Sequence, residues 1–201
     1  IDWISKFNSN DIFLDIGANV GTYSIPAAKM CAQVFCVELD PANIYILHSN
    51  IYLNNVTDKT VILPFAAGDK KMLQPIFYRD FSIGDALQSV GREQSLPTIK
   101  NNPFTISQLV YPLDNLFNDF CLPFPHKIKI DVDGNEKIVI NGAQKILSNA
   151  NEIYYEDNGL KEDKVLINNI LDLGFTFSNQ MKGNVGTNKR STAENILFVR
   201  S

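Results

Sequence analysis

Short apolar runs alternate along the chain with segments whose apolar residues recur at helical spacing. Such alternation is the signature of βαβ units in a mostly parallel sheet. Residues 12–16 predict a first strand, 21–32 a helix, 33–38 a second strand, 41–54 a second helix and 60–66 a third strand. Pro41 suits a first helical turn, where its missing N–H would have no partner anyway. The pattern then changes. Between Gly68 and Tyr111, short strand-like pieces at 74–78 and 105–111 surround a polar stretch, 82–102, punctuated by Gly and Pro. A loop that long within a compact domain is usually functional. Strand 127–132, helix 136–147, strand 152–155 and helix 160–173 resume the alternation. Runs 175–178 and 196–199 predict an antiparallel edge around a loop at 182–190. The predicted fold class is α/β: a Rossmann-like, mostly parallel sheet of about seven strands, with helices on both faces and an antiparallel edge. We expect a single domain over 1–201.

Composition narrows the function classes. The 201 residues suffice for one substantial core. No apolar run approaches the roughly 20 residues that span a bilayer. No basic start followed by an apolar stretch marks a signal peptide. A cytoplasmic protein without a membrane partner is therefore expected, although the chain begins at Ile1 rather than Met, which leaves an upstream segment open. A net charge of −4 lacks the basic surplus of a phosphate-backbone binder, so nucleic acid is disfavoured as a partner. Cys31, Cys36 and Cys121 form no C-x-x-C pair, and their odd number fits no closed disulfide framework. They read as reduced thiols in or near the core. With His48 and His126 at no paired spacing, no metal site is expected.

The sharpest local signal is Asp15-Ile16-Gly17-Ala18-Asn19-Val20-Gly21-Thr22, placed after a strand and before a helix as a cofactor loop requires. Glycines permit the tight turn and the close approach of a ligand, and Asn19 tolerates left-handed dihedrals. A dinucleotide loop reads G-x-G-x-x-G, its second glycine admitting the pyrophosphate. Here the glycines stand four apart and Asn19 takes the middle position. That favours a ligand without pyrophosphate, such as S-adenosylmethionine (SAM), whose cationic groups suit Asp15. Glu38, at the end of the second strand, stands where an acid meets ribose hydroxyls in this architecture, and Asp40 before Pro41 is a helix N-cap.

The second half of the site is Lys129-Ile130-Asp131-Val132-Asp133-Gly134-Asn135-Glu136. If strand 127–132 neighbours the first strand, Asp131 lands beside the Asp15 loop, and the next strand delivers Glu156, with Asp157 and Asn158, to the same edge. Lysine is rarely buried in a strand without a partner, so Lys129 is expected to pair with Asp131 or Glu156. Asp131-x-Asp133-Gly134 is only a fragment of a calcium loop. Asn102-Pro103-Phe104 lacks the second proline of the N-P-P-F/Y signature of amino-directed nucleic-acid methyltransferases.

On these residues the chain resembles the FkbM family of SAM-dependent methyltransferases. The likeness runs from Phe13 to Val199 and rests on Phe13 to Gly21, Val37-Glu38-Leu39-Asp40-Pro41, Ala66-Ala67-Gly68-Asp69 and Lys129 to Glu136. Asp133 stands where that family's K-I-D-V-E-G-x-E pattern has Glu, and Pro112-Leu113-Asp114-Asn115-Leu116 resembles its T-L-D-D-L element. The resemblance implies a class I methyltransferase fold and an O-methyltransferase that uses SAM and releases S-adenosylhomocysteine (SAH). Its acceptor would be a hydroxyl on a small molecule such as a carbohydrate or secondary metabolite. It places Asp15, Gly17, Asn19 and Gly21 at the methionine end, Glu38 at the ribose, and Ala67, Gly68 and Asp69 by the adenine.

Methyl transfer from a sulfonium is in-line, so positioning carries much of the catalysis, and a base takes the hydroxyl proton. Asp131 or Glu156 is the expected base, with His126 a weaker candidate. The loop at 82–104 would cover the acceptor, and Lys182, Lys189 and Arg190 could meet an anionic one. A nicotinamide dehydrogenase and a SAM-binding module without catalysis remain alternatives, and homo-oligomerisation stays open.

Overall fold

A computed structural model describes residues 2–31, 33–78, 89–90, 104–132, 134–157, 161–178 and 194–200. Asp133, Asn158, the 182–190 loop and nearly all of the loop at 82–104 lie outside these residues. In chain order the elements are β1 (Ile12–Ile16), α1 (Ser24–Met30), β2 (Gln33–Val37), α2 (Pro41–Leu53), β3 (Thr60–Leu63), β4 (Ala66–Ala67), β5 (Met72–Tyr78) and β6 (Ser89–Val90). They continue with β7 (Phe104–Tyr111), α3 (Leu113–Asp119), β8 (Lys127–Ile130), α4 (Glu136–Asn141), α5 (Gln144–Asn149), β9 (Glu152–Asp157), α6 (Lys161–Asp172), β10 (Phe175–Phe177) and β11 (Glu194–Arg200). A short 3-10 turn, Ile4–Lys6, precedes β1.

Seven strands form one sheet in the order β10-β11-β9-β8-β1-β2-β3. Its centre is parallel; β11 pairs antiparallel with β10, as the sequence pattern predicts, and on its other side also with β9. Strand order reverses between β1 and β8, so this is the switch point at whose carboxyl ends ligands collect in open α/β sheets. Period-two alternation sends side chains to two cores. Leu14, Ile16, Phe35, Ile128, Ile130 and Ile153 pack with residues of α3 to α6. Phe13, Val34, Cys36 and Tyr154 pack with Trp3, Phe7, Ala27, Ala28 and Leu47 on the other face. Cys31 and Cys36 are buried free thiols, which burial pushes up to about 12. Cys121, expected near the core, is exposed instead.

Helix α1 begins at Ser24 rather than at Gly21 because Pro26 has no N–H to give to Thr22, which confines it to the first turn. Pro64 likewise ends β3 early, and Ala66–Ala67 turns away into a second sheet, β4-β7-β5-β6, which the sequence pattern shows only as separate short pieces. The helix expected over 136–147 is broken into α4 and α5 at Gly142. There the Gly68 carbonyl comes so close that a Cβ on Gly142 would stand 1.9 Å from its oxygen. Asp114 caps the new helix start, its carboxylate accepting from Lys145 N at 2.9 Å and Ile146 N at 3.0 Å.

This contact makes a stability prediction. Gly142→Ala should destabilise the fold by roughly 1–3 kcal/mol, because neither backbone can yield freely. Urea denaturation checks it against Gly134→Ala, where an added Cβ meets nothing within 4 Å and only the positive φ is unfavourable.

Candidate active site

Strand β1 delivers Asp15 to the carboxyl edge of the sheet, fully buried, and its Oδ2 accepts from Ser24 Oγ at 2.6 Å. The chain then turns through Gly17 at φ 82°, Asn19 at φ 51° and Gly21 at φ 95°. Asn19 thus adopts the left-handed backbone expected of it. The two glycines serve the protein before any ligand. A Cβ on Gly17 would stand 1.8 Å from the Asp131 backbone oxygen, and one on Gly21 would stand 2.7 Å from Leu47. The loop therefore rides directly on the segment leaving β8, where Asp131 N donates to Ile16 O at 3.1 Å.

Lys127 and Lys129 share the face of Phe13 and Asp15, their partners in the parallel register. Small residues, Ser24, Ala27 and Ala28, form the buried side of α1. Lys127 pairs with Glu152 at the amino end of the sheet. Lys129 reaches the carboxyl end, with Nζ 2.9 Å from Asp131 Oδ2, 3.6 Å from Asp15 Oδ1 and 3.4 Å from Gly17 O. It also lies 5.1 Å from the Tyr23 ring centroid. The expected pairing with Asp131 is present, and Asp15 joins it.

Burial acts to lower Lys129, but the Asp15 and Asp131 carboxylates more than offset it and hold the ammonium above its ordinary range. Burial pushes the Asp15 carboxyl up, and Lys129 and Ser24 offset only part of this. Both groups are thus shifted upward, Asp15 by its burial and Lys129 by the two carboxylates beside it. Asp15 Oδ1 is buried without a hydrogen-bond partner.

Glu38 follows β2 and is 6% exposed. Its Oε1 accepts from Leu39 N at 2.8 Å and Asp40 N at 2.7 Å, and its Oε2 accepts from Asn19 N at 2.7 Å. Burial raises this carboxyl, against the pull of the three amides. Oε1 has both lone pairs engaged, so Oε2 holds the one acceptor site left for a hydroxyl. Asp40 caps α2 through Ala42 N at 2.7 Å, as expected.

Glu156 is the last residue but one of β9, half-buried, near Tyr154. Burial, the Tyr23 hydroxyl and the charges of Glu156 and Asp131 all push the Tyr154 phenol up, so these groups share one edge. His126 lies elsewhere. It precedes β8 at the amino end of the sheet, with Nδ1 accepting from Ile12 N at 3.1 Å, which removes it as a base for this site. Ala67 pairs with Tyr111, Gly68 packs on Val110 and Gly142, and Asp69 is exposed. Leu39, to which the sequence assigned no role, follows Glu38 and faces the second sheet. It packs with Ala66, Ile76, Tyr78 and Val110 of the second sheet, and Gln108 Nε2 donates to its carbonyl at 3.0 Å. Only an apolar residue directly after the strand-end acid could have signalled it. Among the described residues no cluster of His, Cys, Asp and Glu could hold a metal ion, and no helix is long and apolar enough to cross a membrane.

Residues 15–177 match the Methyltransferase FkbM domain family. Among curated proteins, the chain is 28% identical over 132 residues to a Methanosphaera stadtmanae protein named probable ribosomal RNA small subunit methyltransferase A, covering 66% of this chain and 43% of that relative. The chain spans less than half the length of the curated relatives it matches. The crystal structure of methyltransferase FkbM from Methylobacillus flagellatus KT superimposes with a TM-score of 0.64 at 15% identity, covering 96% of this chain and 44% of that one. A Streptococcus mutans protein solved in complex with SAH gives a TM-score of 0.59 at 9% identity, covering 100% of this chain and 94% of that one. At such identities the likeness shows the fold, that of class I methyltransferases. The family match begins at Asp15 and ends at the last residue of β10, so it takes in the glycine loop, Glu38, Asp131 and Glu156, and the chain belongs to the FkbM methyltransferase family.

Proposed function

We propose that the chain is a SAM-dependent methyltransferase that methylates a hydroxyl on a small, uncharged acceptor of the carbohydrate or secondary-metabolite kind. The observation that carries this reading is the meeting of the Asp15–Gly21 loop, Glu38 and Asp131 at the carboxyl ends of β1, β2 and β8, beside the switch point. The residues fit the cofactor. Asp15 has a buried oxygen without a hydrogen bond, and Glu38 Oε2 keeps one acceptor site. Asp15, Gly17, Asn19 and Gly21 would hold the methionine end, Glu38 the ribose, and Leu39 with Ala67, Gly68 and Asp69 the adenine side. When bound, SAM supplies an electrophilic methyl group on a sulfonium.

Asp131 is the base in this account. Its side chain is 33% exposed, enough to meet an acceptor, and Lys129 fixes its other side. Glu156 is the second candidate on the same edge. Asp15 and Asp131 around a single lysine, with Glu156 farther along the edge, disfavour a phosphate-bearing acceptor, as does the net charge of −4. An RNA acceptor is the second reading, favoured by the name of the Methanosphaera relative. Methyl-group transfer from labelled SAM to a panel of glycosides and phenols, set beside transfer to bulk tRNA and rRNA, separates the two. Labelling of RNA alone would sink the small-molecule reading.

Asp131→Asn should lower turnover by at least about 100-fold, the scale of a lost general base, with SAM affinity changed far less. Steady-state rates beside calorimetric titration check this, and unchanged turnover would remove Asp131 as the base. The buried acids predict a pH dependence. Burial raises Asp15 and Glu38, so both take up protons at higher pH than exposed acids do. Their raised values favour the folded state at low pH, a contribution that fades as pH rises through them. Affinity runs the other way, because protonation removes the charge that meets SAM. SAM affinity measured by calorimetry should fall on acidification before ordinary carboxylates titrate, and Glu38→Gln should flatten that fall.

A further inference from the structure

Lys129 is the one cation at the carboxyl edge of β1 and β8 among the described residues, and proton removal by Asp131 gives its charge no direct task. Its side chain is 5% exposed. A buried charge is costly even when paired, and an apolar residue would fill a strand position more cheaply. The ammonium nevertheless has three oxygens around it, from β1, from the glycine loop and from the segment after β8.

Among them, Asp131 is the acid at hydrogen-bond distance. On the SAM reading above, which this inference presupposes, the transferred methyl group lies beside Asp131. SAM and SAH differ at that point by a methyl group and one positive charge. An unopposed carboxylate there would favour the sulfonium over the thioether strongly. A cation 2.9 Å from the same carboxylate opposes the sulfonium and leaves the thioether almost untouched. We infer that Lys129 is a positioning residue that holds the Asp131 carboxylate in place and, by offsetting its charge, sets the preference of the site between sulfonium cofactor and thioether product. The other ionisable groups around it are Asp15 from β1, Tyr23 ahead of α1 and, as the strand partner of Lys129, Tyr154 from β9, with Glu156 beyond Tyr154. None of these supplies a second cation.

Calorimetric titration of the whole chain with SAM and with SAH gives the ratio of the two affinities for wild type, Lys129→Met, Lys129→Arg and Asp131→Asn. Lys129→Met should move the ratio toward SAM by about tenfold, the scale set by removing a unit charge several ångströms away at a protein's effective dielectric. Lys129→Arg should keep the wild-type ratio. Asp131→Asn, which leaves the lysine with Asp15 as its remaining acid, should move the ratio toward SAH by a similar factor. Because loss of the Asp131 carboxylate moves the ratio by itself, the double variant Lys129→Met/Asp131→Asn, which removes both charges together and leaves neither unpaired by the other, decides the matter where Lys129→Met does not fold. Its ratio should return close to wild type, and a ratio equal to that of Asp131→Asn would overturn the inference. Both ligands weakened equally in Lys129→Met, or an unmoved ratio in Asp131→Asn, would mean that the lysine is structural and would overturn the inference. Wild-type protein that binds neither ligand would overturn the SAM reading and this inference with it. Binding of both with unmoved ratios would overturn the inference alone.

Discussion

At the centre of the sheet two chain segments leave parallel neighbouring strands side by side, with no space for a side chain between them. The missing Cβ of Gly17 is what lets the loop after β1 lie on the Asp131 backbone. From that contact the rest of the site follows. It fixes the loop close enough for Lys129 to reach Gly17 O, Asp15 and Asp131 together. It turns Asn19 so that its N–H meets Glu38, which ties the end of β2 to the same loop. A residue larger than glycine at position 17 would have to separate β1 from the segment after β8, and the charged groups with them.

The polar groups sit on one face of the sheet for a reason that begins in the strand sequences. Lys-Ile-Lys-Ile in β8 alternates, so its isoleucines fill the core under α3 to α6 while its lysines point to the other face, Lys127 over the Phe7 ring and Lys129 over that of Tyr23. Helix α1 packs close on this face because its buried residues, Ser24, Ala27 and Ala28, are small. Removing one partner of a buried ion pair costs roughly 3–5 kcal/mol, so the Lys129 cluster is as much a condition of the fold as of the site. The second sheet closes the opposite side. Its inner residues Ile76, Tyr78 and Val110 pack on Leu39, and Gln108 holds the Leu39 carbonyl beside Glu38. Burial raises the Tyr78 phenol to about 12, so it stays protonated next to these acids.

Much of this was legible in the chain. Period and turn chemistry alone placed the parallel centre and the antiparallel edge. The spacing of Gly17, Asn19 and Gly21 marked the loop, and a lysine inside a strand marked a buried pairing. What stayed illegible depends on contacts distant in sequence. Nothing local to residues 136–147 announces a break at Gly142, because the break answers the Gly68 carbonyl. The pairing of β5 with β7 spans a long connection, so each strand alone looked like a fragment. Prolines 26 and 64 did carry usable signals, since a missing N–H limits where a helix can begin and where a strand can continue. The position of Glu38 was legible as a strand-end acid, but the amides that already occupy its Oε1 come from the turn into α2.

The most direct test of the account is a crystal structure of this chain soaked with SAH. It predicts a ribose hydroxyl donating to Glu38 Oε2, with the sulfur at the edge formed by Asp131 and the glycine loop. Density for SAH away from Glu38, or a filled site with the sulfur remote from Asp131, would contradict it.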